Sequence, residues 1–205
     1  MQRTTQFMLL LGSILVIVAV VGACASKSYI DVNYRLPVAS DDLKGKRVFL
    51  ECRDVRSNKT IFGPNAQSEF KHFTGLFSLS VDQGKKPFVA GAFDLPSLFK
   101  EAFKRRFENS GLDVLTQPKK TIPILEIVIK EFRLDLVDRK WVAGIKYDAR
   151  LLKGDLLLVT KTISGDAERA KVIGQGDAEK VLGEIFTEIV NQLDVHKLLE
   201  QTTKS

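Results

Sequence analysis

The sequence holds two cysteines, two histidines and one tryptophan among its 205 residues. Two thiols allow at most one disulfide. Two histidines leave little for a metal cage or a His-centred catalytic pair. Neither G-x-S-x-G nor H-E-x-x-H occurs, so the commonest signatures of serine hydrolases and zinc peptidases are missing. Charge of either sign is absent between Thr4 and Ser26, and the rest of the chain is correspondingly more polar. Taken whole, 44% hydrophobic and 27% charged residues exclude both a disordered chain and a polytopic membrane protein. The length suits one domain and is marginal for two.

The uncharged N-terminal stretch contains the apolar run Phe7–Val21, preceded by Arg3 and the free amine. That is the arrangement of a secretory signal, although a spanning helix of about 20 residues fits nearly as well. Val21-Gly22-Ala23-Cys24 decides between them. An aliphatic residue, two small residues and a cysteine resemble the lipobox of bacterial lipoproteins. The resemblance implies a diacylglyceryl group on the Cys24 thiol, loss of residues 1–23, and acylation of the new amine. More than one acyl chain makes a stable anchor without a membrane span, each buried CH₂ contributing about 0.8 kcal/mol. Ala25 and Ser26 follow the cysteine. The sorting rule of such lipoproteins retains Asp-bearing ones at the inner membrane, so it implies the periplasmic face of the outer membrane here.

Removal of residues 1–23 loses only one cation, Arg3, and lowers the net charge from +6 to +5. Lys85-Lys86, Lys104-Arg105-Arg106 and Lys119-Lys120 are dispersed among acids without an aromatic-basic module, so they read as solvated faces and not as a nucleic-acid surface.

In the remaining chain, Ile30, Val32, Tyr34 and Leu36 alternate with polar residues and predict a strand stopped by Pro37. Val48, Leu50 and Cys52 predict a second, with Cys52 a buried structural cysteine and no partner for a disulfide once Cys24 is lipidated. Residues 56–93 are irregular and rich in glycine and phenylalanine, with Phe77, Leu79 and Val81 spelling a short strand. Phe62, Phe70, Phe73 and Phe77 have two readings: a contact surface for a partner or lipid, or cover for a second face of the sheet.

Asp94 as N-cap and Pro96 in the first turn open a helix whose Leu95, Leu98, Phe99, Ala102, Phe103 and Phe107 share one face; Gly111 closes it. Val114 and Leu115 begin another strand. Leu125, Ile127 and Ile129 alternate, but the apolar phase then shifts to Phe132, Leu134 and Leu136, which predicts a β-bulge near Lys130-Glu131. Trp141–Leu151 and Leu156–Ser164 follow as strands around Lys153-Gly154-Asp155. Gly174-Gln175-Gly176 lacks the third glycine of a dinucleotide fingerprint and has no βαβ setting. Asp177 is expected to cap a helix bearing Ala178, Val181, Leu182, Ile185, Phe186, Ile189, Val190 and Leu193, and Asp194 to cap a short one after it. The expectation is an α+β two-layer sandwich, an antiparallel sheet with two main helices packed on one face. It forms a single domain over residues 29–201, behind a signal peptide (1–23) and a lipidated tether (24–28).

The helix opened by Asp94, Gly111 with Val114, the strand Leu125-Glu126-Ile127-Val128, Lys146-Tyr147, the late helix and Val195-His196-Lys197-Leu198 together resemble the YajG family of bacterial lipoproteins. That resemblance brings no catalytic residues or cofactors. It implies kinship of shape with auxiliary lipoproteins of envelope ABC transporters and with small lipopolysaccharide-assembly lipoproteins. The functional expectation is a non-enzymatic, lipid-anchored accessory of a cell-envelope complex moving or assembling lipid. Two alternatives stand beside it: a module holding an acyl chain between sheet and helices, and a purely structural envelope lipoprotein. His72 and His196 lack a companion nucleophile at any recognisable spacing.

Overall fold

The computed structural model describes residues 28–84, 86–172 and 174–203. The signal peptide, Cys24 and most of the tether lie outside the described residues. In chain order the elements are β1 (Tyr29–Arg35), β2 (Arg47–Asp54), β3 (Leu76–Asp82), β4 (Phe88–Phe93), α1 (Leu95–Asn109), β5 (Asp113–Leu115), β6 (Ile124–Val137), β7 (Lys140–Lys153), β8 (Leu156–Ala170), α2 (Gly176–Gln192) and α3 (Val195–Leu199), followed by a 3₁₀ turn (Glu200–Thr203).

The class is α+β with two main helices, as the sequence indicates, but the strands form two sheets, and pairing is mixed where an antiparallel sheet is expected. A five-stranded sheet runs β5-β2-β6-β7-β8 and a three-stranded one β1-β3-β4. Only β6–β7, β7–β8 and β3–β4 are antiparallel; β1 pairs with β3, and β2 with β5 and β6, in parallel. Parallel neighbours need long crossovers, and the chain supplies them by sending alternate segments to different sheets.

The antiparallel part follows from local chemistry. Asp138 and Arg139 take positive φ (48° and 62°) in the two-residue β6–β7 turn, the primed-turn geometry that matches strand twist. The β6–β7 register shifts between Ile129 and Glu131. This bulge is the one the apolar phase predicts, and it keeps Leu125, Ile127, Ile129, Phe132 and Leu134 all buried. Strand β8 runs on past Ser164 to Ala170, and at Gly165, where a Cβ would stand 2.8 Å from Ile185, it lets α2 approach closely.

Asp94 caps α1 by accepting the Ser97 N–H at 2.9 Å. Asp177 does not cap α2. The N-cap is Gln175, and the Asp177 carboxylate accepts the Val172 N–H instead, folding the preceding loop onto the helix. Asp194 caps α3 through the Lys197 N–H at 2.9 Å.

Both helices and the small sheet cover one face of the large sheet, α1 over β2 and β5 and α2 over β7 and β8. Tyr147 and Phe132 of the large sheet meet Phe99 of α1 and Phe77 of β3 edge-on at 5.4–6.1 Å, filling the space between layers.

One contact has no sequence signature. Helix α2 lies along the outer edge of β1 and satisfies backbone groups that an edge strand leaves open. Glu179 accepts the Asp31 N–H (3.0 Å), Thr187 accepts the Arg35 N–H (3.1 Å), and Asn191 donates to the Arg35 carbonyl (3.0 Å). Residues 179, 183, 187 and 191 recur every fourth position, one helical stripe. The fourth member is Gly183, where a Cβ would stand 3.0 Å from the Asn33 carbonyl oxygen. Its hydrogen lets the helix seat against the strand.

Candidate functional site

The four phenylalanines singled out by sequence join into one packed chain of rings. Phe62 stacks on Phe70 at 4.7 Å and meets Phe73 edge-on at 5.2 Å; Phe73 touches Phe77, and Phe70 touches Trp141. Phe70 and Phe77 are buried, and Phe62 and Phe73 half-buried against the core. The chain is placed by a short parallel bridge between Phe62 and Leu134, with the Gly63 N–H donating to the Leu134 carbonyl at 2.9 Å. A Cβ at Gly63 would collide with the Asp135 carboxylate, which accepts the Ala66 N–H at 3.2 Å. The cluster therefore closes the join between the two sheets, and Phe70 and Phe77 offer no contact surface.

The space between helices and large sheet is filled with packed rings along the middle of the molecule. Phe99 there touches Phe103, Phe132, Tyr147 and Phe186, all buried. At the C-terminal end of α2, Tyr34 donates to Asn191 Oδ1 (2.8 Å) and Tyr147 to the Ile189 carbonyl (2.8 Å). Arg106 Nη2 donates to the Asn191 and Leu193 carbonyls (3.0 and 2.5 Å), placing a cation on the helix's negative end. Burial pushes both tyrosine hydroxyls up and keeps them neutral. This polar group locks α2 to β1, β7 and α1.

The two histidines and Cys52 stay apart. His72 is exposed in the turn before β3, and His196 is exposed on α3 beside Glu200 at 3.2 Å. Cys52 is partly buried against the core, and burial pushes its thiol far up despite nearby Lys100, the environment of a structural cysteine. Among the described residues no group of His, Cys, Asp or Glu is arranged to hold a metal, and no helix is long and apolar enough to cross a membrane.

The open face of the large sheet carries a charge lattice that sequence reading missed. Arg53 pairs with Glu126, Arg150 lies between Glu126 (3.6 Å) and Asp148 (3.7 Å), and Lys130 meets Asp148 at 2.5 Å. Farther along, Arg133 crosses over Gly144 between Glu131 (2.6 Å) and Asp166 (2.5 Å). Glu126 and Asp148 are buried under these long side chains. Burial would raise the Asp148 carboxyl, but hydrogen bonds from Lys130 and Thr162 and the charges of Lys130 and Arg150 outweigh it and hold the group below the usual range. Charged residues alternating with apolar ones on β2 and β7, and on β6 either side of its bulge, are the signal that could have revealed this face.

Two further surfaces stand out among the described residues. A groove of about 350 Å³ lies between α1 and the β5 edge, with Phe93, Val114 and Leu115 below Lys100 and Lys104. The other is the outer edge of β8, 15 residues long, to which no strand pairs among the described residues; it ends in exposed Leu156 and Leu157.

No protein-family model matches the sequence, and no curated protein matches it. Solved structures resemble it in fold. A Xanthomonas campestris protein of the DUF330 family superposes with a TM-score of 0.55 at 14% identity, over 86% of this chain and 98% of its own. A hypothetical protein of Chlamydia trachomatis gives 0.41 at 10% identity (75% and 95% covered). A Helicobacter pylori homologue of a neuraminyllactose-binding hemagglutinin gives 0.38 at 9% identity (81% and 95% covered). The first shares the α+β architecture across nearly the whole domain.

Proposed function

We propose that this chain is a non-enzymatic lipoprotein of the YajG kind, held by lipid on Cys24 at the periplasmic face of the outer membrane, where it serves as an accessory to an envelope complex. The observation that carries the reading is spacing: Cys24, at the end of a lipobox, precedes the first core residue, Ile30, by only six positions. Such spacing suits a domain hung from an anchor. The shared architecture with a DUF330 protein is compatible with it, although fold alone does not assign function. The filled interior favours an adaptor over an acyl-chain carrier, and the unpaired β8 edge gives a partner an accessible strand.

The test is gentle extraction of the full-length protein, affinity capture and mass spectrometry of proteins, lipids and the mature N-terminus, with Cys24→Ala alongside. The expected result is a triacylated Cys24 at the N-terminus and specific recovery of an envelope transport or assembly subunit, lost in Cys24→Ala. An intact Met1 start refutes the anchor. A triacylated protein recovered alone refutes the accessory role.

A further inference from the structure

We infer that one end of the domain, formed by Tyr29, Leu76, Val137 and Val172 with Lys71 and Arg139, rests on the anionic lipid surface, and that the β7–β8 hairpin tip points away from it. The inference builds on the lipid anchor at Cys24 and concerns what that anchor orients. The chain is pinned where it enters the domain: the backbone N–H and the hydroxyl of Thr74 both donate to the Ser28 carbonyl, at 2.9 and 2.8 Å. From Cys24 to Ser28 four residues reach at most ~14 Å. Whatever lies around Ser28 is therefore kept close to the bilayer.

Contacts around this entry point define that end of the domain. Tyr29 pairs with Leu76 across the β1–β3 ladder, and each is 41% exposed. The turn segment ending at Thr74 bonds to the loop before α2, through Glu69–Lys171 at 2.6 Å and Gln175 to the Glu69 carbonyl. Lys171 in turn donates its N–H to the Arg139 carbonyl in the β6–β7 turn, at 2.9 Å. Val172 (76% exposed) and Val137 (44%) thus join Tyr29 and Leu76 at this end. Exposed Lys71 and Arg139 have no ion pair among the described residues, whereas Lys171 is neutralised by Glu69; Asp138 is the acid beside Arg139. Apolar side chains flanked by unpaired cations suit an anionic headgroup layer.

A second observation is independent of the anchor. Arg139 holds a left-handed backbone (φ 62°) at the tip of its turn, where glycine is the unstrained choice. The turn therefore presents the Arg139 guanidinium at an exposed tip of this end. From this turn, β7 runs 14 residues to the opposite tip, roughly 45 Å away at 3.3 Å per residue, where Leu156 is 62% exposed.

The test uses the full-length lipoprotein in phosphatidylethanolamine vesicles with and without phosphatidylglycerol. Nitroxide labels are placed through Leu76→Cys, Val172→Cys or Leu156→Cys in a Cys52→Ser background, native Cys24 being blocked by lipid. Collision with a water-soluble nickel complex should fall at least about two-fold at 76 and 172 relative to 156. The contrast should be larger with phosphatidylglycerol and shrink in Lys71→Glu/Arg139→Glu. Equal nickel access at all three labels, with Cys24 triacylated by mass spectrometry, overturns the orientation and leaves the anchor standing. An unacylated Cys24 removes both.

Discussion

Replacing Phe70 by alanine separates a packing role from a docking role for the phenylalanine-rich segment. Phe70 is buried, stacked on Phe62 at 4.7 Å and edge-on to Trp141 at 5.8 Å. Phe→Ala in a core costs about 3–5 kcal/mol, including about 0.5–1.5 kcal/mol for each aromatic pair lost. Phe62 is half-buried at the margin and can lean into the space, which puts this site at the lower end, about 3 kcal/mol. A domain of this size loses about 2–4 °C of Tm per kcal/mol, so the transition should fall by roughly 9 °C. Phe73→Ala should cost about half as much, because Phe73 is only half-buried. Since Phe62 contacts both rings, the double variant should lose less than the sum of the singles. The assay is thermal unfolding of the full-length protein followed by circular dichroism. A Tm within about 2 °C of the parent, with partner recovery abolished, would refute the packing assignment.

Three further outcomes follow from the same geometry. Gly183→Val should destabilise by about 2 kcal/mol in urea unfolding, because its Cβ would press on the Asn33 backbone, whereas Gly176→Ala, with open space around it, should not. Asp54 and Asp148 both have carboxyls held low in the fold, burial of each being outweighed by hydrogen bonds, from Arg56 and Lys59 for the first and from Lys130 and Thr162 for the second. Their folded pKa values lie below the unfolded value of about 3.9, so their stabilisation is complete above about pH 5 and lost as pH falls through the folded values. The urea midpoint should decline over that acid range, and Asp148→Asn should flatten the decline. Arg139→Gly should raise stability by about 1 kcal/mol in the same assay, by removing a side chain from a left-handed position.

The sequence revealed most where neighbours in the chain are neighbours in space. The alternation from Trp141 to Leu151, the phase change at Lys130 and the Asp94 cap are local patterns, and each corresponds to an observed strand, bulge or cap. Period-two alternation states which side chains share a face but not which strand lies alongside. The parallel pairing of β1 with β3 and the split into two sheets were therefore invisible. Asp177 failed as a cap because the loop before it folds back and takes its carboxylate. At the candidate site, composition placed the phenylalanines together correctly, yet could not tell a sheet-closing cluster from an exposed patch. That distinction depends on Trp141 and Leu134, some 70 residues farther along.

The sealing of β1 by α2 fixes the order in which the chain can complete itself. The three bonds along that edge join residues 148, 152 and 156 positions apart, and contacts of such separation form late because of the loop entropy they must overcome. Until α2 docks, this edge of β1 stays open, so any loosening of α2 should expose the Asp31 and Arg35 amides to hydrogen exchange together.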